Sequence, residues 1–169
     1  MRMNSRMRRL LPEQPADLRD ADFPEELQAI VATGWMLGPA ETLLLAALFG
    51  EGWSGQVDPS APGLFEYEVN DVHIPTADLA ADLDAYMERA ARRGVSFALR
   101  GLGDAAAFPA AADLVATVAT GVAEDFLLHG TTVKFFTRRG DFPNWFDDDL
   151  EKFEMEAIAV LTNADVTRS

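Results

Sequence analysis

The residues with the widest choice of chemistry in this sequence are its two histidines, because the chain contains no cysteine. His129 follows Asp125 by four residues, so a helical backbone would place both side chains on one face. With His73 as a third ligand, the set predicts a divalent metal site in a small metal-dependent hydrolase or ligand-binding enzyme. The alternative interpretation is that the backbone places these histidines at turns, where they have no chemical role.

A second set of side chains is better suited to binding a partner than to catalysis. It consists of two aromatic residues followed by an acidic run: Trp145, Phe146, Asp147, Asp148, Asp149 and Glu151. Aromatic residues in a loop rimmed by charge are typical of interface anchors. The same rings could instead fold inward over the core. The acids could begin a helix, form a solvated run, or hold calcium or magnesium through their oxygens. These alternatives stay open.

No motif that is specific for a reaction accompanies these two sets. The segment 52–55 (Gly-Trp-Ser-Gly) lacks the spacing and the preceding strand of a serine-hydrolase nucleophile turn. Gly101 and Gly103 lack the third glycine of a dinucleotide-binding loop. The sequence therefore predicts no catalytic residue and no cofactor, and it favours a binding protein over an enzyme.

The net charge of the chain further limits the classes of partner it is expected to bind. The net charge is -14, although four arginines stand within the first ten residues, so the remainder of the chain is more acidic still. Such a body repels nucleic-acid phosphates and attracts basic proteins. The sequence thus predicts a non-enzymatic acidic interaction protein, of the inhibitor or immunity type, with a basic protein partner. The charge could also serve solubility alone, and a homo-oligomeric structural module is a third function class.

The elements that must position these residues are clearest between positions 65 and 100. Alternating apolar and polar residues over 65–74 predict a strand, which a proline ends. An apolar stripe with acids at its start and arginines at its end predicts a long helix over 77–93, ended by Gly94. A short strand is predicted over 95–99, and the unit closes as a parallel crossover or as an antiparallel arrangement.

An N-terminal helical hairpin is predicted from the helices 22–34 and 39–50, because glycines and a proline split this apolar segment into halves too short to cross a membrane. Further strands are predicted near 114–120, at 131–137 and over 153–161. Helical alternatives stay open for 113–128 and 150–162, whose apolar residues fit either period.

Together these elements predict a single α+β domain over residues 22–169. Its helical hairpin and one long helix would pack on a mixed sheet of about four or five strands. Residues 1–21 are predicted to form a mobile arm that contacts phosphate, folds back on the acidic body or is an over-extended start. Acids after the arginines argue against a secretory signal. The absence of cysteine fits a reducing cytoplasm, and the excess of Ala, Asp and Arg over Lys is typical of bacterial genomes rich in G and C. The sequence therefore predicts a cytoplasmic bacterial protein.

Overall fold

A long helix and the antiparallel sheet beneath it form the centre of the fold. The computed structural model describes residues 1–11, 23–50, 58, 60–79, 83–122, 130–139, 146 and 149–166. The helices of these ranges are α1 (Ser5–Leu10), α2 (Glu25–Thr33), α3 (Ala46–Phe49), α4 (Pro62–Val69), α5 (Leu83–Ala105) and α6 (Asn163–Val166). The strands are β1 (Arg2–Met3), β2 (Trp35–Leu37), β3 (Leu43–Leu45), β4 (Asp71–His73), β5 (Leu114–Gly121), β6 (Thr131–Thr137) and β7 (Glu156–Thr162). The prediction of an α+β fold is confirmed.

Five of these strands form one sheet in the order β1-β7-β5-β6-β4, and β2 pairs with β3 in a separate hairpin. The strands predicted near 114–120 and at 131–137 are confirmed as β5 and β6, and the one predicted over 153–161 begins at Glu156 as β7. Every pair within the described ranges is antiparallel, so the predicted mixed sheet is wrong in this respect. The reason is that 95–99, which would have supplied a strand after the helix, belongs to α5.

Helix α5 continues through Gly94, the residue predicted to end it. Gly94 and Gly101 both face the sheet, where an added Cβ would lie 2.9 Å from Val118 and 2.6 Å from Phe135, respectively. Glycine in a helix costs about 1 kcal/mol relative to alanine, and here it allows the helix to lie close against the strands. The apolar run 95–99 is buried in this helix–sheet contact, and a run this short fits a buried helix as well as a strand.

The first eleven residues are part of the fold, so the prediction of a mobile arm does not hold for them; residues 12–21 lie outside the described ranges. β1 pairs with β7, and Met7 of α1 is fully buried. Asn4, also fully buried, accepts the N–H groups of Met7 (2.9 Å) and Ile158 (3.1 Å), which caps α1 and ties it to β7. Of the three alternatives for the arm, the described part folds back on the acidic body, with Arg8 on Glu151 at 2.9 Å.

Two predictions near the N-terminal half are wrong. The first helix of the predicted helical hairpin is present as α2, but the second is replaced by the β2–β3 hairpin and the four-residue α3. The strand predicted from residue 65 is helix α4 as far as Val69, and only Asp71–His73 is extended. Short apolar runs do not distinguish the two structures, and contacts with distant residues decide between them. Pro62 at the start of α4 occupies a position that favours proline in helices.

Candidate functional site

Phe146, the described aromatic residue of the predicted partner-binding segment, lies on the outer face of the sheet, opposite α5. Phe146 is only 5% exposed, and its ring stacks between Phe136 and Phe153 at centroid distances of 6.1 Å. Val115 and Ile158 complete the apolar cluster beneath it. Phe146 therefore takes the inward of the two orientations considered for it.

The acidic residues of this segment are divided between the described and the undescribed ranges. Glu151 accepts hydrogen bonds from the N–H and the hydroxyl of Ser5, both at 2.7 Å, in addition to its ion pair with Arg8. Asp149 is exposed and accepts the N–H of Glu151 at 2.9 Å. The predicted residues Trp145, Asp147 and Asp148 lie outside the described ranges. Binding of a partner at this segment stays a prediction.

Of the predicted metal ligands, only His73 is described; Asp125 and His129 lie outside the described ranges. His73 is exposed on β4, and an added Cβ at Gly130 would lie 2.8 Å from its Cε1 atom. The imidazole thus lies against the residue that follows His129 in the sequence. No group of three histidine, aspartate or glutamate side chains in the described ranges could hold a metal ion. The metal site also stays a prediction.

Helix α4 places two buried polar side chains between β3 and β6. The first is Glu66, which is 0% exposed. Its two carboxylate oxygens accept the N–H groups of Leu43 at 2.8 Å and of Thr137 at 2.5 Å. The guanidinium of Arg139 lies 3.4 Å from the same carboxylate. All three neighbours are donors, so the site requires a side chain with two accepting oxygens.

Asn70, one helical turn after Glu66, completes the arrangement. Its side-chain oxygen accepts the N–H of Leu45 at 2.8 Å, and its amide nitrogen donates to the carbonyl groups of Leu43 at 2.8 Å and Phe135 at 3.2 Å. Glu66 and Asn70, which we call the α4 bridge, therefore take the place that a strand between β3 and β6 would fill. They satisfy backbone groups on both strands that would otherwise be buried without partners.

The turn that joins β2 to β3 is strained and braced by the same network. Ala40 and Glu41 both have positive φ angles, 55° and 57°, which is uncommon for residues other than glycine. Arg139 donates to the carbonyl of Glu41 at 2.7 Å while lying near Glu66. An ion pair at the α4 bridge thus holds a left-handed turn in place. Strain of this kind occurs often at binding sites, although it is not specific for them.

One edge of β2 is paired with no other strand of the described ranges. The cross-strand bonds Gly38–Thr42 (2.8 Å) and Gly34–Ala46 (2.9 Å) set the alternation of the hairpin, so Met36 bonds to β3. The N–H and C=O groups of Trp35 and Leu37 therefore point away from β3. No residue of the described ranges bonds to these four groups, and the Leu37 side chain is 55% exposed.

Many basic side chains of the described ranges are held by the chain's own acids. Six of them form ion pairs: Arg8–Glu151, Arg92–Glu88, Arg93–Asp78, Arg100–Asp104, Lys134–Asp71 and Arg139–Glu66. Eight exposed carboxylates in the same ranges lie in no ion pair: Glu25, Glu26, Glu41, Asp58, Glu68, Asp113, Asp149 and Glu154. These acids lie on several different elements, so the negative surface is not confined to one patch.

A cluster at the outer face of β6 contains Tyr67, whose hydroxyl group is a candidate nucleophile or base. The Lys134 ammonium lies 4.4 Å from the centroid of the Tyr67 ring and 2.6 Å from an Asp71 carboxylate oxygen. Burial raises the pKa of Tyr67, and the nearby Asp71 and Glu156 carboxylates raise it further. A phenol with a raised pKa is a poor nucleophile or base near neutral pH, so this geometry favours packing over catalysis.

A surface groove of about 380 Å³ lies beside β1 and the start of β5. Its charged lining residues are Arg2, Asp113, Arg138 and Asp165. The Arg2 guanidinium donates to the carbonyl of Phe146 at 2.8 Å, and Asp165 forms an ion pair with the amino group of Met1. These contacts tie segments of the fold together, and they do not form a nucleophile–base pair.

The pair between Arg93 and Asp78 holds the segment before α5. Arg93 is 5% exposed and donates to both carboxylate oxygens of Asp78, at 2.8 and 2.7 Å, as well as to the carbonyl of Pro75. The hydrogen bonds from Arg93 lower the pKa of Asp78 below its ordinary value of 3.8. The carboxylate is nevertheless 55% exposed, so solvent screens much of the attraction.

We expect the Asp78→Asn variant to lose about 0.2–1 kcal/mol of stability at neutral pH. Because the folded pKa of Asp78 is depressed, its contribution is fully present above its unfolded pKa and is lost as the pH falls through its folded pKa. Urea unfolding curves of the variant and the original chain should therefore differ at neutral pH and converge in acid. A difference that stays constant with pH would show that the carboxylate charge is not the cause.

Sequence reasoning did not single out the α4 bridge, Arg139 or the edge of β2. One signal was present: Glu66 and Asn70 are spaced four residues apart in an otherwise largely apolar segment that opens with Pro62.

No family model, curated protein or solved structure matches this chain. Within the described ranges, no helix has both the length and the apolar character needed to span a membrane.

Proposed function

We propose that this protein is a non-enzymatic acidic interaction protein, of the inhibitor or immunity type, that binds a basic protein partner. The observation that supports the proposal is the pattern of ion pairing. Six basic side chains of the described ranges are already bound to the chain's own carboxylates, while eight exposed carboxylates there have no ionic partner. With a net charge of -14, the field around the protein favours cationic partners.

Two of the basic N-terminal side chains lie against the chain's own C-terminal half. Arg8 is paired with Glu151, and Arg2 donates to the carbonyl of Phe146, so two of the four arginines are directed onto the chain's own C-terminal half. A surface of this kind speeds association with a cationic partner by about 10- to 1,000-fold at low ionic strength. The same attraction is screened over about 10 Å at 0.1 M salt.

Capture from a native lysate tests the proposal. The immobilised chain is expected to retain proteins of pI above about 9 at 20 mM salt and to release them at about 0.5 M salt, because added ions screen the attraction. The contradicting result is that no partner is retained in a salt-sensitive manner.

A pair of matched variants makes the test specific for charge. In the first, four exposed acids are replaced by their amides: Glu25→Gln, Glu26→Gln, Glu68→Gln and Glu154→Gln. In the second, the same four positions carry Asp, which keeps every charge. The association rate with a captured partner at low salt should fall about tenfold for the amide variant and stay unchanged for the other. Equal rates for both variants would contradict the proposal.

The alternative function is the metal-dependent hydrolase or ligand-binding enzyme that uses His73, Asp125 and His129. One observation favours it, namely the contact of the His73 ring with Gly130, the neighbour of His129 in the sequence. Metal analysis of the purified chain decides it. A stoichiometric divalent metal that is lost in both His73→Ala and His129→Ala would replace the first proposal with this one. Purified chain that binds no divalent metal, even after its addition, would remove the alternative.

A further inference from the structure

We propose that the edge of β2 to which no described residue bonds receives an extended segment of the basic partner, which adds to the hairpin as a third strand. The inference rests on the proposed function and names the surface through which it would act. Trp35 and Leu37 each present an outward N–H and C=O, so the edge offers two donors and two acceptors. In strand addition, main-chain hydrogen bonds of this kind supply affinity, and flanking side chains supply specificity.

The other edges of the described sheets carry charged residues, whereas β2 carries none. β4 exposes Asp71, and β1 contains Arg2; all three strands are short, and a proline follows both β4 and β2 by two residues. Charged side chains are a usual protection of a sheet edge. The sequence of β2 is Trp-Met-Leu, and its last side chain, Leu37, is 55% exposed. An apolar, uncharged edge of this kind is expected to be covered by another chain.

Contacts within the chain hold β2 in its extended conformation before any guest strand binds. The Trp35 indole donates to the carbonyl of Gly101 at 3.0 Å, and its ring meets that of Phe135 edge-on at 5.2 Å. Behind it, the α4 bridge fixes β3, and Arg139 fixes the strained turn at Glu41. Because the strand is already ordered, little conformational entropy is lost when a partner docks.

Charge identifies the occupant as a basic segment rather than a second copy of this chain. Glu41 is exposed in the turn after β2 and its carboxylate lies in no ion pair within the described ranges, although Arg139 donates to its backbone carbonyl. A guest strand with an apolar residue over Leu37 and a lysine or arginine near Glu41 would complement both. Pairing two β2 edges would instead bring together two chains that each carry a net charge of -14. Repulsion between them disfavours self-association.

Two synthetic peptides and two variants of the full chain test this inference. The probes are Lys-Val-Lys-Val-Lys-Val-Lys and its acidic counterpart Glu-Val-Glu-Val-Glu-Val-Glu, both blocked at their ends. Amide hydrogen exchange reports the edge directly, because pairing protects the N–H groups of Trp35 and Leu37. Leu37→Lys places a cation on the edge, and Leu64→Lys makes the same change at a leucine that is 39% exposed on α4.

We expect the lysine peptide to slow exchange at Trp35 and Leu37 and to bind about tenfold more weakly to Leu37→Lys than to Leu64→Lys. Equal binding to both variants, with salt sensitivity retained, would overturn the edge as the site but leave the proposed function standing. If the acidic peptide binds as tightly as the lysine peptide and its binding does not depend on salt, then a basic partner is excluded, which overturns both this inference and the proposed function. If protection of the Trp35 and Leu37 N–H groups rises with protein concentration in the absence of peptide, and the mass in solution is that of a dimer, then the occupant of the edge is a second copy of this chain and the inference is overturned.

Discussion

Replacing Glu66 with alanine is expected to lower the free energy of unfolding by about 3–5 kcal/mol. The carboxylate is fully buried, and its loss would leave the N–H groups of Leu43 and Thr137 without acceptors and the Arg139 guanidinium without its ion pair. Urea unfolding measures the change as a shift of the midpoint at constant slope. Glu68→Ala, an exposed position on the same helix, is the matched control and should change stability by about 0.5 kcal/mol or less.

Glu66→Gln separates the shape of the side chain from its hydrogen bonding. The amide has nearly the same size, but it offers one accepting oxygen where the site has two backbone donors. Its NH₂ group would therefore face an N–H, and we expect a loss of about 2–4 kcal/mol. A glutamine variant as stable as the original chain would show that the two hydrogen bonds from backbone N–H groups contribute little to stability. It would contradict the role of Glu66 in the α4 bridge.

Replacing Asn70 with aspartate is expected to destabilise the fold by about 2–4 kcal/mol at neutral pH. The new carboxylate could still accept the N–H of Leu45, but it would oppose the carbonyl groups of Leu43 and Phe135, which now receive hydrogen bonds from the amide. The loss should be smaller in acid, because a protonated carboxyl group regains one donor.

Asn70→Ala is the comparison for this variant, since it removes the same hydrogen bonds without adding a charge. The aspartate variant should be the less stable of the two at neutral pH, and thermal or urea unfolding at several pH values measures the difference. An aspartate variant that matches the original chain at neutral pH would contradict the assignment of the Asn70 amide as a double donor. Because both residues bind β3, Glu66→Ala and Asn70→Ala are also expected to be non-additive when combined.

The parts of the fold that the sequence predicts correctly are those in which local preference and tertiary packing agree. β6 contains threonines, a valine and two phenylalanines between a glycine turn and a basic loop, and it forms over the predicted residues 131–137. β5 carries four β-branched residues and lies at the centre of the sheet, where such residues pack well. α2 likewise ends before Gly34, whose positive φ suits the residue after a helix.

The parts that the sequence does not predict depend on partners that are distant along the chain. Leu43, Leu44 and Leu45 fit a buried helix or a buried strand equally well. Their strand conformation is supported by Glu66 and Asn70, which follow more than twenty residues later. Alternation around Glu66 indicated a solvent-facing strand position, whereas the residue is buried in a helix, so its role could not be found by periodicity alone.

The candidate sites show the same division. Residue types and spacing made His73, Phe146 and Glu151 candidates, whose roles stay predictions, and the directions of their side chains depend on the fold. The stacking of Phe146 follows from the outer face of β6 and β7, and the contact of Glu151 with Ser5 follows from the docking of α1. The edge of β2 could not be predicted, because residues 35–37 fell in the connection between the two predicted helices, 22–34 and 39–50, where no strand was expected.

The pairing of β1 with β7 joins Arg2 to Val160, residues separated by nearly the whole chain. A contact this distant along the chain is expected to form after the local hairpins. During synthesis, the N-terminal segment has no strand to join until β7 has left the ribosome. A chain stalled before residue 160 would therefore display the apolar side chains of α1, including Met7, to solvent, and it would be prone to aggregation and degradation at that stage.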